Sequence, residues 1–307
     1  MILLIVLVVL AAATYGAWRW AVAQGSAATL EWIDARFSRS VPVRMVAHGD
    51  YGANDHQNVE LWAPQGQAPT GGWSLVVFVY GGGWHDGSTP EYRFVARTLG
   101  EHGYATALIG YRLVPEGRFP NMLTDTAAGV RWVRDHAAAS HIDARRMVLT
   151  GHSAGAYNVL MLDLDSQWLA GAGVPESAMA GTVSLAGPAD FYPFTTPTSQ
   201  NAMQTAADPL STQPITFARA DAPPILLLHG TTDDVVRIRN SRNLAKAIRA
   251  KGGAVQEIEF GGMGHAGIIM ALSKPFAQKG KVLTPLLAFV RERLAAAPSV
   301  SVQREGR

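Results

Sequence analysis

Cysteine is absent from all 307 residues. That excludes disulfides, thiolate metal sites, iron–sulfur clusters and a cysteine nucleophile. Charge is scarce too. Asp, Glu, Lys and Arg make up 16% of the chain, against about 25% in an average soluble domain. With 48% hydrophobic residues, the composition is not that of a disordered, highly charged protein. Net charge is +2, and the sequence contains no run of Lys or Arg. No nucleic-acid partner is therefore expected. The length suffices for one large domain or two modest ones.

One long hydrophobic run is present, at the N-terminus. Residues 1–13 are uniformly apolar, and the stretch continues to Trp18 before Arg19 interrupts it. As a helix it would rise about 27 Å, near the thickness of a bilayer core. Trp18 and Trp20 flank Arg19 as interfacial anchors would. A single N-terminal membrane anchor is the reading these features favour over residues 1–23. The rival is a cleaved signal peptide, because Ala21-Val22-Ala23 fits a small-x-small site. That reading lacks a basic segment ahead of the apolar one. Arg19, Arg36, Arg39 and Arg44 would stay in the cytoplasm under the positive-inside rule, whereas a signal-like start implies export. The side of the membrane stays open.

Residues 24–42 read as a connector, with an amphipathic piece at Leu30, Ile33 and Phe37. From 43 to 298 the chain alternates strand and helix signals. Strands are expected at Gln57–Ala63, Ser74–Tyr80, Tyr104–Ile109, Arg146–Thr150, Thr182–Ala186, Ile225–His229 and Ala254–Phe260. Helices are expected at Glu91–His102, Leu123–Ala139, Ala154–Leu162 and Ser241–Lys251, with a last one capped by Thr284 and started by Pro285. This rhythm implies an α/β domain with a mostly parallel central sheet and helices on both faces. Residues 188–223 break it, with six prolines and no clear strand, as a lid or binding loop would. Residues 299–307 read as a disordered tail.

Gly151-His152-Ser153-Ala154-Gly155 matches G-x-S-x-G between an expected strand and an expected helix. That context makes Ser153 a candidate nucleophile on a strained turn at a helix N-terminus. A serine hydroxyl needs a histidine base, and the base needs an orienting carboxylate. Of nine histidines, His265 sits in a glycine-rich loop just after a strand and is the candidate base. His152 lies inside the elbow and is read as pointing the wrong way. His102, His136 and His141 fall at expected helix ends, and His48, His56 and His85 fall in loops. The carboxylate should follow Ile225–His229, where Asp233 and Asp234 compete. The order Ser, Asp, His differs from that of chymotrypsin-like and subtilisin-like enzymes. Tyr80-Gly81-Gly82-Gly83-Trp84 follows a buried strand and offers backbone N–H groups to an oxyanion from Gly82 and Gly83, with Ala154 completing the set.

Together these motifs resemble the α/β-hydrolase superfamily, in its branch of carboxylesterases and hormone-sensitive-lipase-like esterases. The segment Tyr111-Arg112-Leu113-Val114-Pro115-Glu116 with Phe119-Pro120 and Asp125 is similar to that family's pattern, as are His229–Val236 and Gly264-His265. The resemblance selects Asp233 as the acid and implies structural roles for Tyr111, Arg112 and Asp125. It implies a serine carboxylic-ester hydrolase that forms an acyl-enzyme from a small ester, with no cofactor and no metal. An aryl-formamidase, amidase or peptidase on the same triad is the alternative. A non-catalytic binding module is a third reading, disfavoured by a complete triad. The sequence departs from the family at Tyr80, where a loop-ordering histidine is usual. Oligomeric state is not legible.

Overall fold

The computed structural model describes residues 27–295. The hydrophobic helix expected near the N-terminus, the 1–23 segment and the 299–307 tail lie outside the described residues. Among the described residues, no helix is long and apolar enough to cross a membrane.

Eight strands form one sheet: β1 (Val43–Asp50), β2 (Asn58–Pro64), β3 (Trp73–Val79), β4 (Ala105–Ile109), β5 (Ile142–His152), β6 (Met179–Leu185), β7 (Ile225–Gly230) and β8 (Val255–Phe260). Their spatial order is β1-β2-β4-β3-β5-β6-β7-β8. Only β1 with β2 and β2 with β4 pair antiparallel; every other pair is parallel. In β3 the residues Leu75–Val79 are all buried, and all of β6 is buried. Strands apolar on both sides require cover on both sides. Helices α1 (Ala27–Phe37), α2 (Arg93–Glu101), α3 (Asn121–His136), α4 (Ala154–Leu164), α5 (Gln167–Gly171), α6 (Pro197–Met203), α7 (Arg239–Ala250), α8 (His265–Met270) and α9 (Leu283–Leu294) provide it. These features make the α/β-hydrolase architecture expected from the sequence.

The strand order places the chemistry. β3 lies between β4 and β5, so the chain leaves β3 in one direction and leaves β5 in the other. Such a reversal opens a crevice at the carboxyl ends of the two strands. The loop after β3 carries the glycines, and the turn after β5 carries Ser153. Helix α4 is buried at every residue, as a helix apolar all round must be.

Several features depart from the sequence pattern. β1 lies outside the expected strands: it is an edge strand with an irregular, half-exposed pattern. β5 runs from Ile142 rather than Arg146, because Ile142 and Asp143 pair with Trp73 and Ser74 across a register shift. The helix expected from Glu91 opens as a 3-10 turn, Thr89–Tyr92, and becomes α-helical at Arg93. The last helix starts at Leu283 with Val282 at its cap position, so Thr284 and Pro285 lie inside its first turn. The stretch read as a connector contains α1. Leu30 and Ile33 are buried, but Phe37 is 61% exposed and does not belong to the apolar face. Asp34 is wholly buried, accepts from Arg97 Nε at 3.0 Å and from the Lys274 N–H at 2.8 Å, and so fastens α1 to the domain. The 188–223 stretch holds no strand, but it does hold α6 and two 3-10 turns at Pro209–Thr212 and Pro214–Phe217.

Candidate active site

Ser153 sits between β5 and α4 with φ +53 and ψ −119. A side chain at positive φ is strained and persists only where the surroundings impose it. They do so here. The Ser153 N–H donates to the Leu185 carbonyl at 2.9 Å. A Cβ on Gly155 would stand 2.1 Å from the Val79 carbonyl oxygen, so only glycine lets α4 start so close to β3.

The structure brings Ser153, His265 and Asp233 together from three different strand ends. His265 opens α8, after β8, with Gly264 at the cap position. Its Nε2 lies 2.9 Å from Ser153 Oγ, and its Nδ1 lies 2.7 Å from Asp233 Oδ2. A carboxylate only accepts, so Nδ1 carries the proton and Nε2 is free to accept from the serine hydroxyl. Asp233 follows β7, and its side chain is fully buried. Oδ1 accepts from the N–H groups of Val235 (3.0 Å) and Val236 (2.8 Å). Burial alone would raise the Asp233 pKa. Hydrogen bonds from His229 and His265, with the charge of His265 and the Val236 amide, outweigh it and hold the carboxyl well below the usual carboxylate range. Asp234, the competing residue, is exposed.

The loop after β3 lies across the serine. A Cβ on Gly81 would stand 3.1 Å from Ser153 Cβ. Gly82 and Gly83 have φ +125 and +60, and Trp84 has φ +65. The Gly82 carbonyl accepts from the N–H groups of His85 and Asp86, which fixes the orientation of the Gly82–Gly83 peptide. Trp84 is buried against Tyr157 (edge-on, 5.2 Å) and Phe191 (stacked, 6.2 Å). Its indole N–H donates to Asn158 Oδ1 at 3.2 Å, so the loop is pinned to the helix that starts at the nucleophile.

Tyr80 does not take over a hydrogen-bonding role toward the glycines. Its ring is buried and stacked on Tyr111 (4.8 Å) and Tyr92 (5.8 Å), and its carbonyl accepts from the Tyr111 hydroxyl at 3.1 Å. Burial pushes its hydroxyl pKa up. Arg112 and Asp125 form a two-pronged ion pair at 2.7 Å on each prong, joining the segment after β4 to α3.

Two further histidines, neither of them a candidate base, lie beside the site. His229 is wholly buried; its Nδ1 meets Ser241 Oγ at 2.7 Å and its Nε2 lies 3.3 Å from Asp233 Oδ2. Its place as first residue of the His229-Gly230 pair was the only signal available. His152, inside the elbow, makes no hydrogen bond to Ser153 and stacks beside His265 at 4.9 Å. Burial lowers its pKa to about 3, and His265 adds to that, so it stays neutral. Among the described residues, no group of three or more His, Asp or Glu side chains is arranged to hold a metal ion.

The family described as BD-FAE matches residues 60–248. The probable carboxylic ester hydrolase LipM of Mycobacterium tuberculosis is 24% identical, over 66% of this chain and 51% of that protein. Esterase LipC of the same organism is 27% identical, over 75% of this chain and 61% of its own length. The chain thus spans half to three-fifths of these relatives. Among solved structures, an inhibited esterase B from Lactobacillus rhamnosis superimposes with a TM-score of 0.71 at 19% identity, covering 92% of this chain and 96% of that one. A truncated carbohydrate esterase from gut microbiota gives 0.67 at 20%, over 83% and 96%. These structures share the fold.

Proposed function

Because the chain belongs to the BD-FAE family, we propose that it is a serine carboxylic-ester hydrolase working through an acyl-enzyme. One observation carries the reading: His265 bridges Ser153 and Asp233 through two short hydrogen bonds. Ser153 Oγ attacks the acyl carbon while His265 Nε2 takes its proton. His265 then returns that proton to the leaving alcohol, and Asp233 holds the imidazole in the required tautomer. The N–H groups of Gly82, Gly83 and Ala154 stabilise the oxyanion. Water, activated by His265 in the second half, releases the acid. The relatives named above are ester hydrolases, so an amide substrate is not favoured.

The substrate is a small-molecule ester. Residues 188–223 wall the site as a lid, on the support of Phe191 against Trp84. Residues 1–23 anchor the protein in a membrane, a reading supported by the sequence of the apolar run alone. Parallel assays on a series of p-nitrophenyl esters and on formanilides test the activity. Ester turnover well above amide turnover is expected. The reverse order would contradict the reading.

A further inference from the structure

Helix α6 is fastened to the glycine loop after β3. A Cβ on Gly83 would stand 2.8 Å from the Thr198 methyl, so α6 rests on that glycine. Beside this contact, His85 Nδ1 lies 2.7 Å from the Gly83 carbonyl oxygen, and His85 Nε2 lies 3.1 Å from Asn201 Nδ2. The Asn201 side-chain oxygen is already committed: Arg118 donates to it from Nε at 3.1 Å and from its terminal nitrogen at 2.7 Å. A guanidinium only donates, so the Asn201 amide must turn its NH2 toward His85. His85 Nε2 must then accept. Its one proton sits on Nδ1 and is donated to Gly83. A directional chain runs from Arg118 through Asn201 and the exposed His85 to the Gly83 carbonyl.

We propose that His85 is a positioning residue that joins the insert to the oxyanion loop, and that it does so only as the neutral Nδ1–H tautomer. The proposal rests on the hydrolase reading above, in which the loop's N–H groups receive the oxyanion. Such donors work by being fixed before charge develops. Trp84 and Asn158 fix the loop on one side; on the other, His85 and Asn201 hold the Gly83–Trp84 peptide, which follows directly on the Gly83 N–H. A second proton on His85 would set Nε2–H against the Asn201 NH2 and break the link.

The test reads the imidazole directly. The full chain is labelled with 15N-histidine, spectra are recorded near neutral pH, and the His85 signals are assigned with His85→Gln. A protonated Nδ1 and a bare Nε2 are expected; an Nε2–H tautomer, or averaging between the two, overturns the proposal. Asn201→Leu is expected to lower kcat about 10-fold with KM within about twofold, less than the loss of a direct oxyanion donor. The double variant with His85→Gln should lose no more than the larger single loss. Additive losses, or a change confined to KM, overturn it. If a variant fails to fold, the wild-type tautomer still decides, with Asn201→Ser as a second assignment aid. Alkyl-phosphonate labelling of the wild-type protein keeps the two readings apart. No labelling sinks the hydrolase reading; labelling with the wrong tautomer sinks only this one.

Discussion

His229 Nε2 stands 3.3 Å from Asp233 Oδ2, with both side chains fully buried. The same nitrogen lies 2.7 Å from the Val236 carbonyl, so His229 carries its proton on Nε2 and shares it between the two oxygens. The carboxylate that orients His265 is thereby held in place by a second imidazole.

Asp233→Asn is expected to lower kcat by about 10⁴, because an amide no longer enforces the Nδ1–H tautomer of His265. The lowered pKa of Asp233 also has a stability consequence. A carboxyl depressed in the fold stabilises it above the unfolded value of about 3.9, and that contribution is lost as pH falls through the folded value. The melting-temperature gap between wild type and Asp233→Asn should be level above about pH 4 and shrink below it. A gap that instead grows on acidification contradicts the cause given.

His152 adds a loss of the same sign over a higher pH range. It is neutral in the fold down to about pH 3, whereas an unfolded imidazole takes up a proton near 6.5. Between those values the unfolded state binds more protons, so stability falls with pH by up to about 1.4 kcal/mol per unit. Urea unfolding at pH 7, 6, 5 and 4 should show a shallower loss for His152→Leu than for wild type. Parallel curves would show that the buried imidazole carries no such linkage.

What the sequence disclosed, and what it hid, follows from the range of the interactions. Ser74–Val79 announces a doubly covered strand because each residue alone is apolar, and Ser153 announces itself through local turn chemistry. β1 does not, since it is an edge strand whose apolar residues are at most half-buried and between which Arg44, His48 and Asp50 stand exposed. The first half of β5 hides behind the local Asp143–Arg145 ion pair, which looks like a turn. The membership of α1 in the domain depends on Asp34 meeting Arg97, 63 residues away. His85 read as a loop histidine because its partners, Asn201 and Arg118, are set by tertiary packing.

Asn158 offers a structural check on the loop. It accepts from the Trp84 indole and donates to Thr126 Oγ1 at 3.0 Å. Asn158→Leu leaves a buried indole N–H without an acceptor, at a cost of about 1–3 kcal/mol. A lower urea midpoint together with reduced kcat is expected. A variant with unchanged kcat would separate Trp84 from oxyanion positioning.

Arg97 tests the attachment of α1. Its guanidinium bonds both Asp34 and Glu31, and Asp34 has no exposed surface. Arg97→Leu leaves the buried Asp34 carboxylate without a counter-charge, with only the Lys274 N–H to bond it, a loss of about 3 kcal/mol. Hydrogen exchange should then rise across residues 27–37 and stay low in β3. Unchanged protection of α1 would place its hold elsewhere.

The identity of the nucleophile is decided most directly by covalent capture. After reaction with a fluorophosphonate, peptide mass spectrometry should find a single adduct, on Ser153, and Ser153→Ala should take up no label while losing ester turnover by about 10⁴–10⁶ in kcat. Label on another residue, or ester turnover that survives Ser153→Ala, would contradict the account.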